Sequence, residues 1–281
     1  ITDLETEQND ENNPFADVTD IGAIADNKMS ALYIPQAIPA LDLPLDVAQS
    51  PIKTASGWGN SLPNGAKEFT LLFSGGLVRR PALILQNEQG EYDHIAIYKS
   101  KKEDIPLAVI KNGEMYRDYI DVVHKNDKVY NANRDIKVMH LEKDGSNLKL
   151  YVSAAMDYEN DYFYHPHELY TMLKEHAGFC PPTAAIHLQD KDLHNAQFDC
   201  WDHVVDWYVK GLQYLMDEEK FDVIFSHMHN VDMCEHTFIS HLYDKGYNKF
   251  SVETYQQWLK ELYQQTDRYL GNFLRYLDEG W

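Results

Sequence analysis

Apolar residues recur at every second position through the middle of the chain and at every third or fourth position toward its end. The first period is that of a strand and the second that of a helix, so the change of period divides the chain. Between Glu68 and Met156, β-type runs follow one another at Phe69–Phe73, Ala82–Gln86, His94–Lys99, Leu107–Lys111 and Tyr119–His124. Turn residues separate them at Asn87–Gly90, Lys111–Gly113 and Asp144–Gly145, where Asn, Asp and Gly accept backbone angles that strands refuse. Ile136–Glu142 and Leu148–Ser153 flank Lys143-Asp144-Gly145-Ser146 and read as two arms of a hairpin.

Beyond Met156 the spacing of Val205, Tyr208, Val209, Leu212, Leu215 and Met216 predicts a helix over 202–216. Phe221-Asp222-Val223-Ile224-Phe225 reads as a short buried strand, and Ser251 as the cap of a long amphipathic helix. That helix is expected to turn one face inward through Tyr255, Trp258, Leu259, Leu262, Tyr263, Tyr269, Leu270, Phe273, Leu274 and Leu277. Helix, strand and helix make an α/β unit, whose second helix is expected to lead into a further parallel strand. The sequence stops at Trp281, just past that helix, so the unit is expected to be partial. Before Glu68, Ile1–Asn13 is polar and aperiodic, and Pro35, Pro39, Pro44 and Pro51 favour an extended connector. The expected organisation is an acidic, Pro-containing lead-in over 1–50, a β-rich module over 51–156 and a partial α/β core over 157–281.

Composition supports a packed interior: 44% of the 281 residues are hydrophobic and 12% aromatic. Charge narrows the partners. The formal charge is −20 with histidine neutral, which excludes a nucleic-acid polymer bound through clustered Lys and Arg. That charge is uneven: residues 1–20 carry seven acids and no base, residues 21–155 sixteen of each, and residues 156–281 twenty-two acids and nine bases. No run of about 18 apolar residues predicts a membrane span, and no basic start followed by an apolar stretch predicts a signal peptide. Cys180, Cys200 and Cys234 cannot all pair within one chain, which favours a reducing, cytoplasmic compartment. The first residue is Ile1 rather than Met, so a trimmed chain or a piece of a longer one is expected.

Histidine placement is the main chemical signal. Ten of the thirteen histidines lie between His165 and His241, and imidazole is the commonest metal ligand. Asp232 and His236 stand four apart after the Phe221–Phe225 run. In a parallel α/β sheet that is the carboxyl end of a strand, where ligands collect. On a helical turn the two share a face and supply half of an oxygen and nitrogen site for Zn²⁺ or Mn²⁺. The same spacing also suits a capping Asp with a solvent-facing His. Cys234, two residues beyond Asp232, points to another face and reads as a small buried residue. His165-Pro166-His167 and the Ser74-Gly75-Gly76 turn ahead of Arg79-Arg80 are lesser candidates, since the first lacks an acidic partner and the second lacks the P-loop ending.

The string Phe221-Asp-Val-Ile-Phe-Ser-His227, then Asp232-Met-Cys-Glu-His236, then a long helix holding Tyr263-Gln-Gln-Thr-Asp267-Arg-Tyr-Leu-Gly271, resembles the type I phosphodiesterase/nucleotide pyrophosphatase branch of the alkaline phosphatase superfamily. Softer matches to a subset of that family with a β-rich insertion are Thr54–Asn60, Lys111–Tyr116, Ile136–Glu142 and Leu150–Ser153. The likeness spans about residues 50–281, with its specific part near 221–275. It implies a partial alkaline-phosphatase-like α/β domain carrying a β-rich inserted module. It further implies a small phosphate-ester substrate and two divalent metal ions, usually zinc, one of them held by Asp232 and His236. In such an enzyme a Thr or Ser attacks the phosphoryl group in line. Residues 1–50 offer no counterpart of that nucleophile or of the family's first metal-binding Asp, and the later Asp-His pair and final metal-binding His are expected beyond Trp281. By itself the chain is therefore expected to be inactive. Two rival readings are a non-catalytic binding or interaction module and a mononuclear metal hydrolase that uses the His-rich region.

Overall fold

A computed structural model describes residues 47–59, 61–73, 76–125, 127–157, 159, 164–182, 191–218, 221, 223–243 and 250–281, with the backbone alone for 125, 191–194, 237 and 240–243. The lead-in up to residue 46 lies outside the described residues.

All described strands belong to two antiparallel sheets. The first is built from β1 (Val47–Gln49), β2 (Lys53–Thr54), β3 (Lys67–Phe73), β4 (Val78–Gln86), β5 (Tyr92–Ile97) and β6 (Ala108–Lys111). Its main path runs β1-β3-β4-β5-β6, with β2 also paired to β3. The second holds β7 (Met115–Lys125), β8 (Lys128–Leu141), β9 (Leu148–Val152) and β10 (Met156–Asp157), with β8 paired to the other three. Val47–Gln49 thus adds a strand within the stretch expected to be lead-in.

The inner faces of the sheets share one apolar core. Phe69, Leu71, Phe73, Val78, Ala82, Ile84, Ile95, Ile97 and Ile110 come from the first sheet, and Tyr119, Val123, Ala132, Ile136 and Val138 from the second. In β8 every residue from Ala132 to Val138 is buried. Alternate positions enter that core, while Asn133, Asp135 and Lys137 face away from it, because successive side chains leave opposite faces of a strand. The turn at 143–146 forms as expected: Gly145 donates to the Glu142 carbonyl at 2.7 Å and has φ +64°. A Cβ there would lie 2.9 Å from the Tyr92 ring, so both backbone and space require glycine.

The helices are α1 (Glu168–Ala177), α2 (Lys191–Glu218), α3 (Asn230–Tyr243), α4 (Val252–Gly271) and α5 (Arg275–Asp278). The chain is therefore α/β in the broad sense that it combines helices with sheets. Helix α2 extends further than expected at its N-terminus and meets the outer face of β7 and β8. Its contacts with the second sheet include apolar ones, with Met115 and Tyr151 packed on the cluster that holds Cys200, Trp201 and Val204, and three polar ones. Asp199, His203 and Asp206, spaced i, i+4 and i+7 on one helical stripe, reach Lys137, Asp135 and Arg117 respectively.

Two expectations about the helical half need correcting. Phe221–Phe225 is not a strand in its described positions: Phe221 and residues 223–229 are irregular, and Val223 and Phe225 are 64% and 57% exposed. A strand needs a paired neighbour, and among the described residues none lies alongside this run. The expected long helix is also interrupted after Gly271, where the Asn272 side chain donates back to the Arg268 carbonyl at 2.7 Å. Its buried stripe is Tyr255, Trp258, Leu262, Gln265 and Tyr269, leaving Tyr263, Leu270, Leu274 and Leu277 exposed.

Candidate metal-binding site

Helix α3 carries the Asp232 and His236 pair, and its other side is anchored. Asn230, Cys234 and Phe238, four residues apart, are completely buried and form the inward stripe. Asn230 donates from Nδ2 to Gln265 Oε1 at 3.0 Å and accepts from Thr266 Oγ1 at 3.2 Å, both on α4. Gln265 in turn donates to Asp202 Oδ1 at 2.7 Å and to the Phe198 carbonyl at 3.2 Å, both on α2. This satisfied buried network fixes where α3 begins. The Gln197 amide donates to Cys234 Sγ at 2.7 Å. Burial pushes the Cys234 thiol up to about 12, with Gln197 and Trp201 opposing the shift, so Cys234 is a packing residue.

With that face inward, Asp232 and His236 face solvent, with side chains 57% and 78% exposed. His236 Nε2 lies 3.5 Å from Asp232 Oδ1. Two ligands about 2.0–2.1 Å from one tetrahedral zinc ion stand roughly 3.3–3.4 Å apart, so this oxygen and nitrogen fit such an ion as adjacent ligands. Asp232 also lies in the first turn of α3, where a carboxylate complements the helix dipole. His229, not singled out from the sequence, joins the pair: its Nε2 is 3.5 Å from Asp232 Oδ2. Spacing held the clue, since 229, 232 and 236 lie on one helical stripe. The Tyr263 hydroxyl on α4 donates to Glu235 Oε1 at 2.6 Å, tying the exposed side of α3 to its neighbour. Among the described residues, no three His, Cys, Asp or Glu side chains converge as a group able to hold a metal ion.

Of the other histidines, His227 lies beside His229, with ring centres 4.1 Å apart, while the rest of those described lie elsewhere. His176 stacks on Tyr214 with ring centres 3.8 Å apart, and His167 stands at the N-cap of α1. His187 lies outside the described residues, as do the side chains of His194 and His241. Ser74 and Gly75 of the candidate phosphate turn are likewise outside, and Arg80 points inward to pair with Asp121. A second polar cluster had no local sequence signature. Buried His203 places Nδ1 2.9 Å from Asp135 Oδ2 and Nε2 3.7 Å from Asp118 Oδ2. Burial raises the Asp118 carboxyl above its ordinary range, against the opposing pull of His203.

No family model, curated protein or solved structure matches this chain.

Proposed function

We propose that this chain is part of a metal-dependent phosphoric-ester hydrolase of the phosphodiesterase/nucleotide pyrophosphatase type, with an alkaline-phosphatase-like architecture. Asp232 and His236 hold one of its two divalent metal ions, zinc being the ion that the family resemblance implies. The observation that carries this reading is the exposed pair itself: a carboxylate oxygen and an imidazole nitrogen 3.5 Å apart on a helix anchored by its opposite face.

Asp232 supplies negative charge to offset that of the cation, and His236 supplies a nitrogen ligand. The Asn230, Gln265 and Thr266 network keeps both on a rigid helix start, which preserves ligand spacing. A bound divalent ion contributes Lewis-acid charge at a phosphoryl oxygen. The surrounding chain does not provide that charge, since residues 156–281 carry twenty-two acids against nine bases. A small phosphate ester is the substrate class that the family resemblance implies, and the β-rich module is assigned substrate-cap elements on the same ground.

The test is hydrolysis of bis(p-nitrophenyl) phosphate by the product of the complete gene, before and after chelation and zinc restoration. Asp232→Ala and His236→Ala are each expected to lower kcat/KM at least a hundredfold with no loss of folded protein. Unchanged, zinc-dependent activity in both variants would remove Asp232 and His236 from the site.

A further inference from the structure

His229 enters the site without an evident role, although its position is closely defined. Its carbonyl accepts the Met233 amide at 3.0 Å, the first such bond of α3. The next residue, Asn230, is the buried anchor. On the ring's own side, the His227 imidazole packs with centres 4.1 Å apart and planes at 55°. The ring is thus held by a neighbouring ring as well as by its backbone, and Nε2 is left 3.5 Å from Asp232 Oδ2.

Asp232 needs such a partner. An exposed carboxylate on a helix turns freely about its side-chain bonds, and ordering it for a cation costs entropy. Its two oxygens stand in different surroundings here: Oδ2 faces His229 and Oδ1 faces His236. The three groups do not converge as one ligand set, so the imidazoles serve different ends of the carboxylate. We infer that His229 is a positioning residue: its Nε2–H holds Asp232 Oδ2, leaving Oδ1 presented on the His236 side. Pairing of a ligating group with a hydrogen-bonded partner is a common way to orient metal ligands. The inference deepens the proposed metal site and rests on it, whereas the His229–Asp232 contact exists without metal.

The test combines two readings. In metal-free chain labelled with ¹⁵N in its imidazoles and held at alkaline pH, long-range ¹H–¹⁵N spectra should show His229 as the Nε2–H tautomer. Asp232→Ala should shift its ring signals while leaving those of His203 in place. In zinc titrations, His229→Ala should weaken binding roughly tenfold, and His229→Gln, which keeps an N–H donor, should recover part of the loss. Thermal unfolding of both variants should match the parent chain. A His229 ring indifferent to Asp232→Ala would overturn the inference. So would a zinc-induced change at Nε2 that marks His229 as a ligand. The predicted tautomer and coupling without any zinc uptake uphold the His229–Asp232 pair and defeat the metal reading instead, so the two failures are distinguishable.

Discussion

Glu68 shows how one charged side chain survives in a β-sheet interior. Burial opposes its charge, but Lys101, the Trp58 indole, the Ser56 amide and Lys53 all bind the carboxylate, and together they lower its pKa to about 2. The unfolded value is near 4.5, so the stabilisation is present above that pH and is lost as the pH falls from there toward 2. Urea unfolding of Glu68→Gln should show a loss of about 1–2 kcal/mol at neutral pH, solvent screening of the exposed lysines reducing the effect, and a much smaller one near the folded pKa. Gly145→Ala should cost at least about 1–2 kcal/mol in the same assay from the left-handed backbone alone, with the Tyr92 clash added. Its role was readable locally, because Asp-Gly between two β-type runs is a turn signal. That Asp232 and His236 share one helix face was readable for a similar reason, four residues being about one helical turn. His203 and Asp135 were not: sixty-eight positions apart, they meet only because α2 crosses β8.

Among whole elements, strands flanked by turns were the most legible. Each run between Phe69 and Ser153 coincides with part of an observed strand, because alternation and turn chemistry agree there. Phe221–Phe225 misled because five consecutive apolar-rich positions suit a strand, a helix segment or a packed coil, and pairing decides among them. Helix α4 misled differently. Its apolar residues cover more of the circumference than its partners bury, so pattern alone could not separate the inward stripe from the outward one. Leu262→Ala, at a fully buried position, should cost about 2–5 kcal/mol. Leu270→Ala, at a position 57% exposed, should change stability by no more than about 0.5 kcal/mol. Equal losses in chemical denaturation would contradict the observed orientation of α4.

At the scale of the molecule, the two sheets close over an apolar core, while the outer face of the second sheet meets α2 through Lys137–Asp199, Asp135–His203 and Arg117–Asp206. Among the described residues, no helix is long and apolar enough to cross a membrane. The stretch 156–281, to which α3 belongs, carries an acidic surplus, a balance better suited to cations than to a bare phosphate ester. The central claim is that Asp232 and His236 take up a metal ion, and equilibrium zinc titration of the folded chain followed by calorimetry tests it most directly. The account predicts weak, saturable uptake at this site, as befits two ligands, and at least a tenfold loss of affinity in both Asp232→Ala and His236→Ala. Zinc binding of the same strength and stoichiometry in the parent and both variants would contradict it.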